Sequence, residues 1–118
     1  MDPSANGAPV GVGLLGLGVV GSAVAASLTS ADARQRGIRL CAALVRDPSR
    51  KRAVELAPGT TTTDPESVLG SPDVDIVVEL MGGEEPALTY ISSALSASKH
   101  VVTANKEVIS KHGERLRT

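Results

Sequence analysis

Val10-Gly11-Val12-Gly13-Leu14-Leu15-Gly16-Leu17-Gly18-Val19-Val20-Gly21 is the stretch on which the fold turns. Its first six residues are apolar or small and read as a short buried strand. They run straight into three glycines spaced G-x-G-x-x-G. From 19 to about 30, Val20, Val24 and Leu28 recur every fourth position, the pattern of one buried helical stripe. Strand, glycine turn and helix together form the opening unit of a dinucleotide-binding sheet, and each glycine then has its own task. Gly16 allows the tight turn, Gly18 lets the backbone approach a pyrophosphate, and Gly21 lets the helix pack closely on the strand. Leu17 lies inside the turn, and the amides of Val19 and Val20 face the anion at the helix N-terminus.

The rest of the chain repeats the alternation. Residues 38–45 form a second apolar run, ended by the polar cluster Arg46-Asp47-Pro48-Ser49. A short helix is expected over 50–56, stopped by Pro58-Gly59, and a brief β-branched strand over 60–63. Asp64-Pro65-Glu66 reads as N-cap, first-turn proline and first-turn acid of another short helix ending at Gly70. Residues 74–80 are the clearest buried strand. Gly82-Gly83 breaks it, Pro86 starts a helix to about 98, and 101–103 make a fifth strand. A last helix starts at Asn105 or Lys106 and runs to His112, with Gly113 as its C-cap. Residues 1–9, rich in Pro, Gly, Asn and Ser, read as a flexible lead before a dinucleotide-binding domain over 10–118.

Right-handed crossovers between five such strands give an α/β fold, a Rossmann-type doubly wound parallel sheet in the order 3-2-1-4-5, ending before a sixth strand. Composition agrees. Phe and Trp are absent and Tyr90 is the single tyrosine, so the core must be built from Val, Leu, Ile and Ala, which suit a parallel sheet covered on both faces. With 12 basic and 13 acidic side chains, no broad basic face for nucleic acid is expected. No apolar run reaches membrane-spanning length and no basic region precedes one, so a membrane partner and a signal peptide are excluded, and a cytoplasmic location follows. Cys41, the single cysteine, is expected to be buried and inert. His100, read as a strand-edge residue, and His112, read as a cation at a helix C-terminus, lack partners at ligand spacing, so no metal is expected.

The end of the second strand tells one nucleotide from another. An acid there suits the ribose hydroxyls of NAD, whereas a cation suits a 2′-phosphate. Arg46 occupies that place. Its planar fork can hold a phosphate bidentately, and Arg50, Lys51 and Arg52 follow to add positive potential. NADP is favoured, with NAD possible through Asp47 if the strand ends one residue later. After the fourth strand, Glu79 and the backbone of Met81 and Gly82 should lie beside the nicotinamide ribose, while Glu84 and Glu85 serve the next helix. Glu79 either titrates or orients its neighbours. One strand further along, Asn105 is placed to bond the carboxamide. Lys106, at the end of a helix where a cation is electrostatically disfavoured, is the candidate catalytic group, polarising a carbonyl or supplying a proton.

With these residues in view the chain resembles the N-terminal nucleotide-binding domain of homoserine dehydrogenase, from about 12 to 116. The likeness is carried by residues 12–22, by Val45-Arg46-Asp47, by residues 73–83, and most specifically by Lys99-His100-Val101-Val102-Thr103-Ala104-Asn105-Lys106. It implies NAD(P)-dependent interconversion of aspartate 4-semialdehyde and homoserine, with Lys106 touching the cofactor ribose close to the reacting oxygen and Arg46 governing NADP contact. It also implies a homo-oligomer, and a downstream catalytic and dimerisation domain that carries a second lysine and the acidic substrate-binding residues. On this reading the chain is a fragment that binds cofactor without turning substrate over. The alternatives are a free-standing NADP(H) sensor and the cofactor domain of another amino-acid dehydrogenase.

Overall fold

The computed structural model describes residues 9–117; most of the expected N-terminal lead and Thr118 lie outside the described residues. Strands β1 (Val10–Leu15), β2 (Ile38–Leu44), β3 (Thr61–Thr62), β4 (Ile76–Glu79) and β5 (His100–Thr103) form one sheet in the order β3-β2-β1-β4-β5. Every pairing is parallel. Helices α1 (Val19–Leu28) and α2 (Ala31–Gln35) lie between β1 and β2, α3 (Glu66–Leu69) between β3 and β4, and α4 (Ala87–Ser96) between β4 and β5, while α5 (Lys106–Arg117) follows β5.

Alternation along β1 shows how both faces are filled. Val12 and Leu14 join Ala25 of α1, Ala43 and Val45 in one apolar cluster, whereas Leu15 joins Leu44, Val68 and Leu69 of α3, Val77 and Ala94 of α4 in the other. Leu14 and Leu15 are both fully buried, so truncating either to Ala would cost about 2–5 kcal/mol. Small residues let the helices approach. An added Cβ at Gly13 would lie 2.7 Å from Cγ1 of Val68, and on α1 the buried residues are Gly21, Ser22 and Ala25. The expected Val20 stripe is therefore corrected in part: Val24 and Leu28 are half-buried, but Val20 is 62% exposed. In the first turn of α1, Val19 and Val20 are exposed while Gly21 and Ser22 are buried.

Further expectations change. Residues 50–56 form no helix. Arg52, Val54 and Leu56 are partly buried while Ala53 and Glu55 are exposed, the chain bends at 53–54, and Val54 and Leu56 pack against the α1 side of the core. Gly113 does not end α5, because Leu116 continues the stripe begun by Val108 and packs on Ala87, Leu88 and Ile91 of α4. His112 is accordingly inside the helix and not at its C-terminus. α2 was not foreseen, although Ser30 caps it by accepting from the Ala33 amide at 3.1 Å. Cys41 is half-buried; its thiol lies 3.5 Å from the Asp73 carbonyl oxygen, and burial pushes it above its ordinary range. His100 sits exposed at the start of the edge strand β5, as read.

Candidate functional site

Strand register brings the site together. Thr62 of β3 lies beside Leu44 of β2, which lies beside Leu15 of β1, then Glu79 of β4 and Thr103 of β5. Five strands thus end on one line, and the loops beyond it share one rim, where open α/β sheets hold their ligands.

A cleft of about 480 Å³ opens on that rim, walled by Gly16, Leu17 and Gly18, by Leu44, Val45, Arg46, Asp47, Arg50 and Arg52, and by Thr63, Leu80, Met81, Pro86 and Tyr90. Gly16 has φ +107, and Gly21 closes the turn so tightly that an added Cβ would lie 2.5 Å from the Gly16 carbonyl oxygen. At Gly18 the opposite holds, since nothing lies within 4 Å of the Cβ position; the backbone there is open to an approaching group. Gly18 is also the N-cap of α1, with no side chain capping the helix and no acid in its first turn. The first amides of α1 are orphan donors of the kind that bind phosphate. An uncapped helix N-terminus, an unobstructed glycine and an arginine-bearing loop across a cleft fit a dinucleotide.

The loop over 46–52 is held by side chains. Arg52 donates from Nε to the Leu17 carbonyl at 3.2 Å, from Nη1 to that of Arg50 at 2.8 Å, and from Nη2 to that of Asp47 at 2.8 Å. Asp47 Oδ1 accepts from the Ser49 amide at 3.0 Å and from its hydroxyl at 2.6 Å, and these bonds, with lesser help from the Arg52 and Arg50 charges, hold the Asp47 carboxyl below its ordinary range. Arg46 and Arg50 are exposed. A recess of about 290 Å³ adjoins the cleft behind Leu17 and Gly18 and is lined by Val19 and Lys51 among others.

At the other end of the rim, Glu79 is fully buried. Its Oε2 accepts from the amides of Met81 (2.8 Å) and Gly82 (3.3 Å) and from Nδ2 of Asn105 (3.4 Å), and its Oε1 accepts from the Thr103 hydroxyl at 2.5 Å. One carboxylate thereby fixes the loops after β4 and β5 together. Asn105 completes the joint. Its Nδ2 also donates to the Gly83 carbonyl at 2.6 Å, and its Oδ1 accepts from the Val108 amide at 3.2 Å, capping α5. Lys106 is exposed at the first position of α5. Its strand is two removed from the glycine turn, roughly 10 Å at the usual strand spacing.

The family profile described as homoserine dehydrogenase, NAD binding domain, matches residues 16–118. The chain belongs to this family. It is 44% identical over 110 residues to the homoserine dehydrogenase of Synechocystis sp. and 41% identical over 110 residues to that of Bacillus subtilis, covering 91% and 89% of the chain and 25% of each relative. The crystal structure of a homoserine dehydrogenase from Thiobacillus denitrificans superposes with a TM-score of 0.80 at 43% identity, over 92% of this chain and 26% of that one. A homoserine dehydrogenase from S. aureus gives 0.82 at 35% identity, over 93% and 30%. The chain therefore spans about a quarter of the length of the curated relatives it matches.

Within this homoserine dehydrogenase NAD-binding domain, the residues singled out from sequence fall into three groups. Gly16, Leu17, Gly18, Arg46, Arg50 and Met81 meet on the cleft wall, and Val19 and Lys51 line the adjoining recess. Val20 is exposed on the first turn of α1, Gly21 is buried beneath it, and Gly82 is exposed beyond Met81. Asn105 and Lys106 stand apart, at the β5 end of the rim. Asn105 departs from its reading as a carboxamide ligand, since its donors go to Gly83 and Glu79. Glu84 departs as well: it faces α5, its Oε2 lying 2.7 Å from His112 Nε2 and its Oε1 3.3 Å from Lys111 Nζ, whereas Glu85 does serve α4 by accepting from the Thr89 amide. Thr63, Pro86 and Tyr90 were not foreseen on the cleft. The single tyrosine, one helical turn beyond the proline that opens α4, was the available signal.

Proposed function

We propose that this chain holds NADP for the interconversion of aspartate 4-semialdehyde and homoserine, with residues 10–118 as the cofactor-binding domain. The carrying observation is the cleft that joins the uncapped glycine turn to the Arg46 and Arg50 loop. The amides of Val19 and Val20, reached over Gly18, hold the pyrophosphate. Gly16 and Gly21 set the turn, and Leu17 forms its apolar floor. Arg46 takes the 2′-phosphate with its planar fork, and Arg50 and Lys51 add positive potential. Met81 and Gly82 present backbone to the nicotinamide ribose. NAD is the weaker ligand, because Arg46 stands where an acid would serve the bare ribose.

A bound nicotinamide would supply hydride to the aldehyde carbon or, in the reverse direction, accept it from the alcohol carbon of homoserine. What this chain adds is position and a proton. The Asn105 cap fixes the start of α5, and so fixes Lys106, whose ammonium lies toward the reacting oxygen and stabilises or protonates it. Substrate-binding acids and the oligomer interface are assigned to the length of the homologous enzymes beyond the quarter matched here. Among the described residues no helix is long and apolar enough to cross a membrane, in keeping with a cytoplasmic enzyme.

Tyr90 provides the test, being the one intrinsic fluorophore and a wall of the cleft. Titrated with NADP or NAD, tyrosine emission should fall, with NADP acting at lower concentration. Arg46→Ala should weaken NADP about 10- to 100-fold, the worth of a charge-assisted hydrogen bond at roughly 1.5–3 kcal/mol, and leave NAD nearly unchanged. Equal affinities for the two nucleotides, or an Arg46→Ala chain that still prefers NADP, would overturn the assignment.

A further inference from the structure

Residues 45–60 connect β2 to β3 without helix or strand, yet they carry the side chains assigned to the 2′-phosphate. Arg52 is their tie to the rest of the site. Its Nε bonds the Leu17 carbonyl in the glycine turn, while Nη1 and Nη2 bond the carbonyls of Arg50 and Asp47 within its own loop. The partly buried guanidinium thus meets three backbone oxygens, one on the far side of the cleft entrance and two beside the exposed Arg46 and Arg50. None of these partners is a carboxylate. The Asp47 to Ser49 turn braces the same loop from within, but Arg52 is what joins it to the glycine turn.

We propose that Arg52 is a positioning residue for nucleotide selection: it clamps the 46–52 loop to the glycine turn and so holds Arg46 over the 2′-phosphate position. This rests on the reading of Arg46 as the phosphate ligand. Arginine is required because three diverging N–H donors in one plane reach three carbonyls together, which a single ammonium on a flexible stem does not. Without the clamp, the loop must be ordered at the moment of binding, and affinity falls although the charge is kept.

The test is a cycle of Arg46→Ala, Arg52→Lys and the double variant, each titrated with NADP and NAD by calorimetry. Arg52→Lys, which preserves charge, should weaken NADP at least tenfold and NAD by a smaller factor, and the double variant should bind NADP no more than twofold worse than Arg46→Ala alone. Losses that multiply in the double variant, equal losses for both nucleotides, or wild-type affinity in Arg52→Lys would overturn the clamp. An Arg46→Ala chain with undiminished NADP affinity would instead overturn the phosphate reading beneath it, so the two failures differ. A second variant guards against misfolding: Arg52→Ala should regain NADP affinity on addition of millimolar methylguanidinium, and no regain would count against the proposal.

Discussion

Two glycines three positions apart do opposite work in the turn. At Gly21 an added methyl group meets the Gly16 carbonyl carbon and oxygen at 3.0 and 2.5 Å. Both are backbone atoms that cannot swing aside, and the overpacking costs about 1–3 kcal/mol, which outweighs the roughly 1 kcal/mol that Ala gains over Gly in a helix. At Gly18 the same methyl group meets nothing within 4 Å, and its φ of −79 suits any residue, but the group would project where an anion must approach the α1 amides. Gly21→Ala should therefore unfold at lower denaturant concentration than wild type, while Gly18→Ala keeps the wild-type midpoint and loses nucleotide affinity. Chemical denaturation beside nucleotide titration separates the two, and a Gly18→Ala chain with full affinity would remove the pyrophosphate from this turn. The sequence displayed these tasks because glycine spacing is a local signal. It did not display the task of Glu79, whose four donors come from Met81, Gly82, Thr103 and Asn105. Two of them are more than twenty residues away, and only the β4 to β5 register brings them into reach.

Among the elements, α5 shows where local signals mislead. Gly113 has the look of a stop, but the Val108, His112 and Leu116 stripe has a helix to pack against, and burial of Leu116 on α4 outweighs the glycine. Residues 50–56 fail in the other direction, with helix-forming composition overruled by three carbonyls bound to Arg52 and by the packing of Val54 and Leu56 on the α1 side of the core. α5 is also tied to the loop after β4 at two points, Asn105 to Gly83 and the His112–Glu84–Lys111 group. First the His112 contact and then Lys111 hold the Glu84 carboxyl below its ordinary 4.5. A carboxyl whose folded value is depressed contributes stability that is present above its unfolded value and is lost as pH falls through the folded one. Unfolding midpoints should therefore decline as pH drops below about 4.5, and Glu84→Gln should flatten part of that decline while lowering stability near neutrality. If the variant's profile between pH 3 and 5 runs parallel to wild type, the contact does not anchor α5.

For the molecule as a whole, sheet order was legible from the alternation of apolar runs with helical stretches, because in a parallel sheet every crossover must be right-handed and few topologies remain. The cleft's composition was legible on its β1 and β2 sides and, after β4, at Met81. Thr63, just after β3, and Pro86 and Tyr90, in the crossover after β4, reach it from two separate connections, which no spacing in the chain encodes. What the assembled rim predicts is that cofactor binding stabilises the fold. Cofactor bound to the folded chain alone stabilises it by RT ln(1 + [L]/Kd), about 2.7 kcal/mol at one hundred times Kd, or roughly 10 °C in the unfolding midpoint for a domain of this size. NADP should raise the midpoint of the 118-residue chain by that amount, and NAD at the same concentration by less. Equal shifts for the two nucleotides at equal concentration would mean that no group in the cleft reads the 2′-phosphate, and the place given to Arg46 would fall.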